Sequence, residues 1–152
     1  MTDAADLSVS DRIARDHRRL DEPFGHFLGA GDREAAAHAI GEFDAALRAH
    51  MRLEEDELFP LAPPGKLVAT PDETERDRLF RELRLEHVQI RELSGMIVRT
   101  LREKTDLAPV RGLAASLARR WDAHTVREER AFADESLAMD PAGEAAIREA
   151  LG

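Results

Sequence analysis

Apolar residues recur at steps of three and four along four stretches of the chain, each bounded by capping or breaking residues. In the first, Ile13, His17, Leu20, Phe24 and Phe27/Leu28 share a face behind Ser10, an N-cap by type, with Asp11 in the first turn. Pro23 removes a backbone donor there and predicts a kink one turn past His17, and Gly29-Ala30-Gly31 ends the element. The second stretch opens on Asp32 and runs to about Phe59, where Pro60 stops it; Ile40, Phe43, Leu47 and Leu58 lie along its apolar face. Residues 61–69 contain Pro63-Pro64-Gly65 and read as a loop. Thr70-Pro71-Asp72-Glu73 reads as a capping box with proline at the first helical position. Behind it Phe80, Leu83, His87, Ile90, Ser94, Ile97 and Leu101 form a stripe that ends near Lys104. The fourth stretch begins around 106–109, carries Val110, Leu113, Leu117, Trp121, His124 and Glu128, and reaches Phe132. Asp140-Pro141 reads as the start of a short terminal helix to Leu151.

Four amphipathic helices with short connections predict an all-α fold, an up-down-up-down four-helix bundle with a short C-terminal helix. The 152 residues suffice for a single domain, 1–152, with the bundle core at about 11–138. A rise of about 1.5 Å per residue places His17 and Glu54 roughly 10 Å from two neighbouring helix ends. It places His87 and His124 each about 25 Å from the turn joining the last two helices, so all four histidines meet at one level. The third helix then has about two extra turns before His87, which either overhang the bundle or cover its end.

Composition narrows the chemistry. The formal net charge is −9, which argues against nucleic-acid binding by a basic surface. There is no cysteine, which excludes disulfides, thiolate metal centres and thiol catalysis. No apolar run approaches the length of a membrane span, and residues 1–10 do not read as a signal peptide, so a cytoplasmic location is expected.

The chemistry lies on the apolar faces. His50 and Glu54 are one turn apart on the face that carries Phe43 and Leu47, and His124 and Glu128 repeat the spacing. A single His-x-x-x-acid match carries little weight, since 31 of the 152 residues are acidic. His17–Asp21 and His38–Glu42 match it too, but at about 100° per residue His38 points about 160° from its stripe, and His26 is similarly displaced. Those two are expected on the surface. Taken alone, each remaining histidine reads as a core imidazole bonded to some neighbour. Together His17, His50, Glu54, His87, His124 and Glu128 make six polar groups in one core layer, each costing about 1–3 kcal/mol if unsatisfied. A domain has only about 5–15 kcal/mol of stability to lose, so a metal partner is expected. Two N,N sites joined by two bridging carboxylates fit six side chains on four helices. Imidazole with carboxylate suits iron, zinc or manganese. The Glu-x-x-His pattern of ferritin-like sites is missing, because Ala14, Leu47, Arg84 and Trp121 stand three before the stripe histidines.

The segments Asp16-His17, His50-x-x-x-Glu54-Glu55 with Leu58-Phe59-Pro60, Glu86-His87 and His124-x-x-x-Glu128-Glu129 resemble a hemerythrin-like (HHE cation-binding) domain over about Asp11 to Phe132. The resemblance implies two iron ions in an oxo- or hydroxo-bridged non-haem centre. His17 and His50 would hold one, His87 and His124 the other, with Glu54 and Glu128 bridging. Residue types alone leave zinc and manganese open. Oxygen-carrying hemerythrins have a fifth histidine one turn before the third-helix ligand; this chain has Leu83 there. That leaves a coordination position for water, a small ligand or another carboxylate, with Glu57, Asp21 and Glu86 the nearest candidates by sequence. The expected function is binding or turnover of a small diatomic or peroxidic ligand (oxygen, nitric oxide or peroxide), in a stress response. No acid–base residue and no protein partner is identified. The alternatives are an iron- or oxygen-responsive sensor module whose fold or partner binding depends on metal occupancy, and a helical scaffold. Trp121, one turn before His124, is either a border of the site or plain core.

Overall fold

Local capping chemistry sets where the helices begin. The computed structural model describes residues 8–58, 71–103 and 106–133. Helix α1 spans Val9–Leu28, and its cap is Ser8, not Ser10. The Ser8 hydroxyl accepts from the Asp11 amide at 3.1 Å and donates to the Asp11 carboxylate at 2.7 Å. The Ser10 hydroxyl instead donates to the carbonyl of Glu129. The helix runs on through Pro23 and ends at Gly29, whose amide returns to the Gly25 carbonyl at 3.0 Å. Helix α2 spans Arg33–Leu53 behind Asp32, which accepts from the Ala35 amide at 2.8 Å.

Two boundaries differ from expectation. After Leu53 the chain does not continue as α-helix toward residue 59; it widens into a π-helical turn, Glu54–Leu58. Such turns are rare and collect at functional sites. Helix α3 spans Glu75–Glu103, so it starts later than a Thr70 cap requires. Its reciprocal box is Thr74 with Asp77: the Asp77 amide donates to the Thr74 hydroxyl at 3.1 Å, and the Thr74 amide to the Asp77 carboxylate at 3.0 Å. Glu73 is engaged elsewhere, accepting both guanidinium arms of Arg81. Helix α4 spans Ala108–Ala133, with Asp106 accepting from the Ala108 amide. The expected terminal helix at 140–151 and the loop at 61–69 lie outside the described residues.

Each helix packs on two others, α1 on α2 and α4, and α3 on α2 and α4. Contacts within each pair run in opposite residue order. Asp16 meets His50 while Phe24 meets Phe43; Asp44 meets Ser94 while Glu55 meets His87; Glu86 meets His124 while Gln89 meets Arg120; Ser10 meets Glu129 while Asp21 meets Trp121.

The core is split in two. The larger part holds Leu20, Phe24, Phe27, Ile40, Phe43, Leu47, Met51, Ile90, Ile97, Leu117 and Trp121. Phe43 sits between Phe24 and Trp121, with ring centroids at 4.8 and 5.7 Å. The smaller part joins Val9, Ile13, Phe80, Leu83 and Ala131, with Phe132 packed against it. From Leu79 onward the early turns of α3 do not fold over the bundle's end, because Phe80 and Leu83 pack with the first turns of α1 and the last turn of α4. No helix among the described residues is long and apolar enough to cross a membrane.

Candidate metal centre

Between the two apolar clusters lies a layer of buried polar side chains: His17 from α1, His50 from α2, Glu54 from the π turn, His87 from α3, and His124 and Glu128 from α4. All six sequence-derived candidates meet there. His38 is exposed and pairs with Glu42, and His26 is exposed.

The donor atoms form two groups that share the glutamates. One is His17, His50, Glu54 and Glu128; the other is Glu54, His87, His124 and Glu128. Each group offers four ligand atoms within 4.8 Å of one another. The two oxygens of each glutamate are divided between the groups. Oε1 of Glu54 lies 2.5 Å from His50 Nε2 and 3.9 Å from His17 Nε2, while its Oε2 lies 3.1 Å from His87 Nε2. Oε1 of Glu128 lies 3.0 Å from His17 Nε2, while its Oε2 lies 3.4 Å from His87 Nε2 and 3.2 Å from His124 Nε2.

These short distances are mostly not hydrogen bonds. Nε2 of His50 and of His124, both oxygens of Glu54 and Oε2 of Glu128 are buried without an aligned hydrogen-bond partner among the described residues. Donor atoms that crowd together without facing one another are what a shared cation arranges, and an uncompensated buried polar atom is otherwise costly. The residues therefore fit a metal pair, two imidazoles and two carboxylates to each ion, a set suited to iron, zinc or manganese.

Behind each imidazole stands a second carboxylate. Nδ1 of His17 donates to Glu129 at 2.9 Å, that of His50 to Asp16, that of His87 to Glu55 at 3.1 Å, and that of His124 to Glu86 at 2.7 Å. Each bond leaves Nε2 as the nitrogen aimed inward and fixes the ring's rotation. The four bonds close a ring: α1 supplies the acid for α2, the π turn that follows α2 for α3, α3 for α4, and α4 for α1. Each acid is the immediate sequence neighbour of a ligand candidate, turned about 100° around its helix and so toward the next one. The pairs Asp16-His17, Glu54-Glu55, Glu86-His87 and Glu128-Glu129 carried this signal, but adjacency did not reveal which histidine each acid serves.

Two of the three acids near the place of the missing fifth histidine are engaged elsewhere. Glu86 is held by His124 and Arg127. Asp21 accepts the indole N–H of Trp121 at 2.7 Å. The side chain of Glu57 lies outside those described. Leu83 is buried against Val9, Ile13 and Phe80, one turn before His87, and offers no donor. Trp121 is both core and border, edge-on to Phe43 at 5.7 Å and to His17 at 5.5 Å.

Without a metal, the layer balances its charge internally. Burial alone would lower the histidine pKa values, but the neighbouring carboxylates outweigh it. His50 rises to about 10 through Glu54 and Asp16, and His124 to about 9 through Glu128 and Glu86. His17 is raised through Glu128, and His87 is raised well above 6.5 through Glu128, Glu54 and Glu55. Burial pushes Glu128 upward, yet His124, His17 and His87 hold it well below the usual carboxylate range. Protons on the imidazoles thus occupy the place of metal charge.

Compared with known families, residues 8–136 match the model of the hemerythrin HHE cation binding domain. Comparison with curated proteins and with solved structures gave no match.

Proposed function

The chain belongs to the hemerythrin HHE cation-binding family, and on that premise we propose a non-haem di-iron protein that binds or turns over oxygen, nitric oxide or peroxide in a stress response. The observation that carries the reading is the division of each buried glutamate's oxygens between two histidine pairs. A carboxylate so placed supports a bridge between two ions rather than a ligand for one.

Iron held there supplies the redox chemistry. The chain's own residues bind, orient and exclude. Nε2 of His17 and His50 would take one ion and Nε2 of His87 and His124 the other, with Glu54 and Glu128 spanning both. Asp16, Glu55, Glu86 and Glu129 hold the Nδ1 protons and lock the rings. Leu83, Ile13 and Phe80 wall one side with hydrocarbon. Leu83 offers no donor where a further imidazole would, which would leave room for a small ligand beside the ions. We read the bundle as up-down-up-down, supported by the opposite contact order of every packed pair. The carboxylate ring supports it too: the acid precedes the ligand on α1 and α3 and follows it after α2 and on α4, which gives one rotational sense only if helix directions alternate. We read the chain as one domain in the cytoplasm.

The test is elemental analysis of untagged protein purified without added metal, with a visible spectrum of the same sample. The expected result is about two irons per chain and a band that changes with oxygen, nitric oxide or azide. Two irons with no response to any of these ligands would overturn the small-ligand reading, and a single metal per chain the bridged one.

A further inference from the structure

The two histidine pairs have the same donors but different surroundings. On the α3–α4 side both outer carboxylates are shared with an arginine. Glu55 accepts from Arg91 at 3.3 Å as well as from His87, and Glu86 accepts from Arg127 as well as from His124. Arg127 extends the network to Glu82. On the α1–α2 side, Asp16 and Glu129 have no arginine in ion-pair contact among the described residues. Arg19 acts on Asp16 only at longer range.

That difference acts on the metal through the imidazole. A carboxylate that accepts the Nδ1–H draws the proton toward itself and makes Nε2 a stronger donor. A guanidinium on the same carboxylate takes up its lone pairs and offsets its charge, so the pull on the imidazole is weaker.

Resting on the di-metal reading above, we propose that the two positions are inequivalent. The His17–His50 position takes the first divalent cation, and Arg91 and Arg127 keep the His87–His124 position the weaker of the two. Asp16 and Glu129 are then positioning residues for the first ion, and Glu55 and Glu86 for the second. The shared glutamates make the second ion bind more weakly in any case, since they are already committed to the first. That effect produces two steps, but it does not choose which pair fills first. The arginines do.

The experiment is a titration of metal-stripped full-length protein with Zn(II), following the imidazole nitrogens of the six histidines by 15N NMR, with circular dichroism to check that each variant is folded. In the natural sequence, His17 and His50 are expected to shift during the first equivalent, and His87 and His124 during the second. Asp16→Asn keeps an acceptor for the His50 Nδ1–H but removes its charge; it is expected to weaken the first step by about 10–100-fold and to blur or invert the filling order. Arg91→Gln with Arg127→Gln is expected to tighten the second step by up to about tenfold. Simultaneous shifts of all four histidines, or His87 and His124 moving first, overturn the inequivalence while leaving the di-metal site intact. An unchanged first step in folded Asp16→Asn overturns the role of the outer carboxylate. No zinc-dependent shift at any of the four overturns the di-metal reading itself.

Discussion

The Phe43 cluster and the histidine layer are adjacent slices of one bundle, and they are stabilised by opposite means. Phe43 belongs to an apolar cluster that includes Leu20, Phe24, Leu47 and Trp121. Its contribution comes from area removed from water and from close packing, so pH and ligands hardly alter it. In the layer, Glu54 and Glu128 are both 0% exposed. Buried charge of that kind is stable only while each group has an opposite charge near it. The lesson is that one slice stores the protein's stability and the other makes that stability conditional on what fills the site.

The largest separation between the two should come from metal itself. Each ion held at a thousandfold excess over its Kd adds about 4 kcal/mol of stability. Chemical unfolding of loaded and stripped protein should show that gap, and the stripped form should keep its helices, because the imidazoles are protonated and paired. Loss of most helicity on stripping, read by circular dichroism, would instead favour the sensor alternative, in which metal affinity is folding energy.

Next in size is Phe43→Ala. It should cost about 3–5 kcal/mol in the loaded and stripped protein alike, because the cavity opens in the slice that does not respond to metal. Metal content per chain should stay unchanged. A metal content that falls with this substitution would break the separation between the slices.

A third test uses pH. In the stripped protein, the folded pKa values of His50 and His124, about 10 and about 9, lie above the ordinary 6.5. Their stabilisation is fully present below about 6.5 and lost as pH rises through about 9–10. Glu128, held low, contributes above about 4.5 and loses its contribution as pH falls through its depressed value. Stripped protein should therefore be most stable near pH 5–6 and melt at lower temperature toward pH 10. Metal binding has the opposite slope, since the ion displaces those protons. The melting temperatures of loaded and stripped protein should diverge as pH rises, and parallel curves would contradict the assignment of these histidines to the site.

The smallest effect expected is at the seam. Trp121 faces Phe43 on one side and His17 on the other, and Asp21 holds its indole N–H. Asp21→Ala should cost about 1 kcal/mol, the net worth of one such hydrogen bond. If Trp121 tilts as a result, the change should also appear in the His17 ring resonances.

Much of this was legible in the chain. The four helices follow from apolar periodicity, and Asp32 was identified as a cap because its side chain needs only its own next turn. The four inward histidines follow from the angle between each and its stripe, and Glu54 and Glu128 from the one-turn spacing behind His50 and His124. The differences lie at the helix ends. Ser8 and Ser10 are the same residue type two positions apart, and Ser10 was taken from the cap role by a carbonyl on α4. Thr74 and Asp77 formed the box expected of Thr70 and Glu73, while Glu73 went to Arg81. The π turn after Leu53 is invisible to a reading at 3.6 residues per turn.

By itself the sequence determined the helices, their apolar faces and the polar residues inserted in them, because those properties depend on side chains three or four positions apart on one helix. Only the tertiary structure decided how the six groups divide into two sites, since a glutamate's two oxygens are told apart only by what lies on each side. It alone also decided which acid serves which histidine and which pair is braced by arginine. Asp16 stands next to His17 in the chain but serves His50, because a turn of about 100° points a side chain at the neighbouring helix and not at its own.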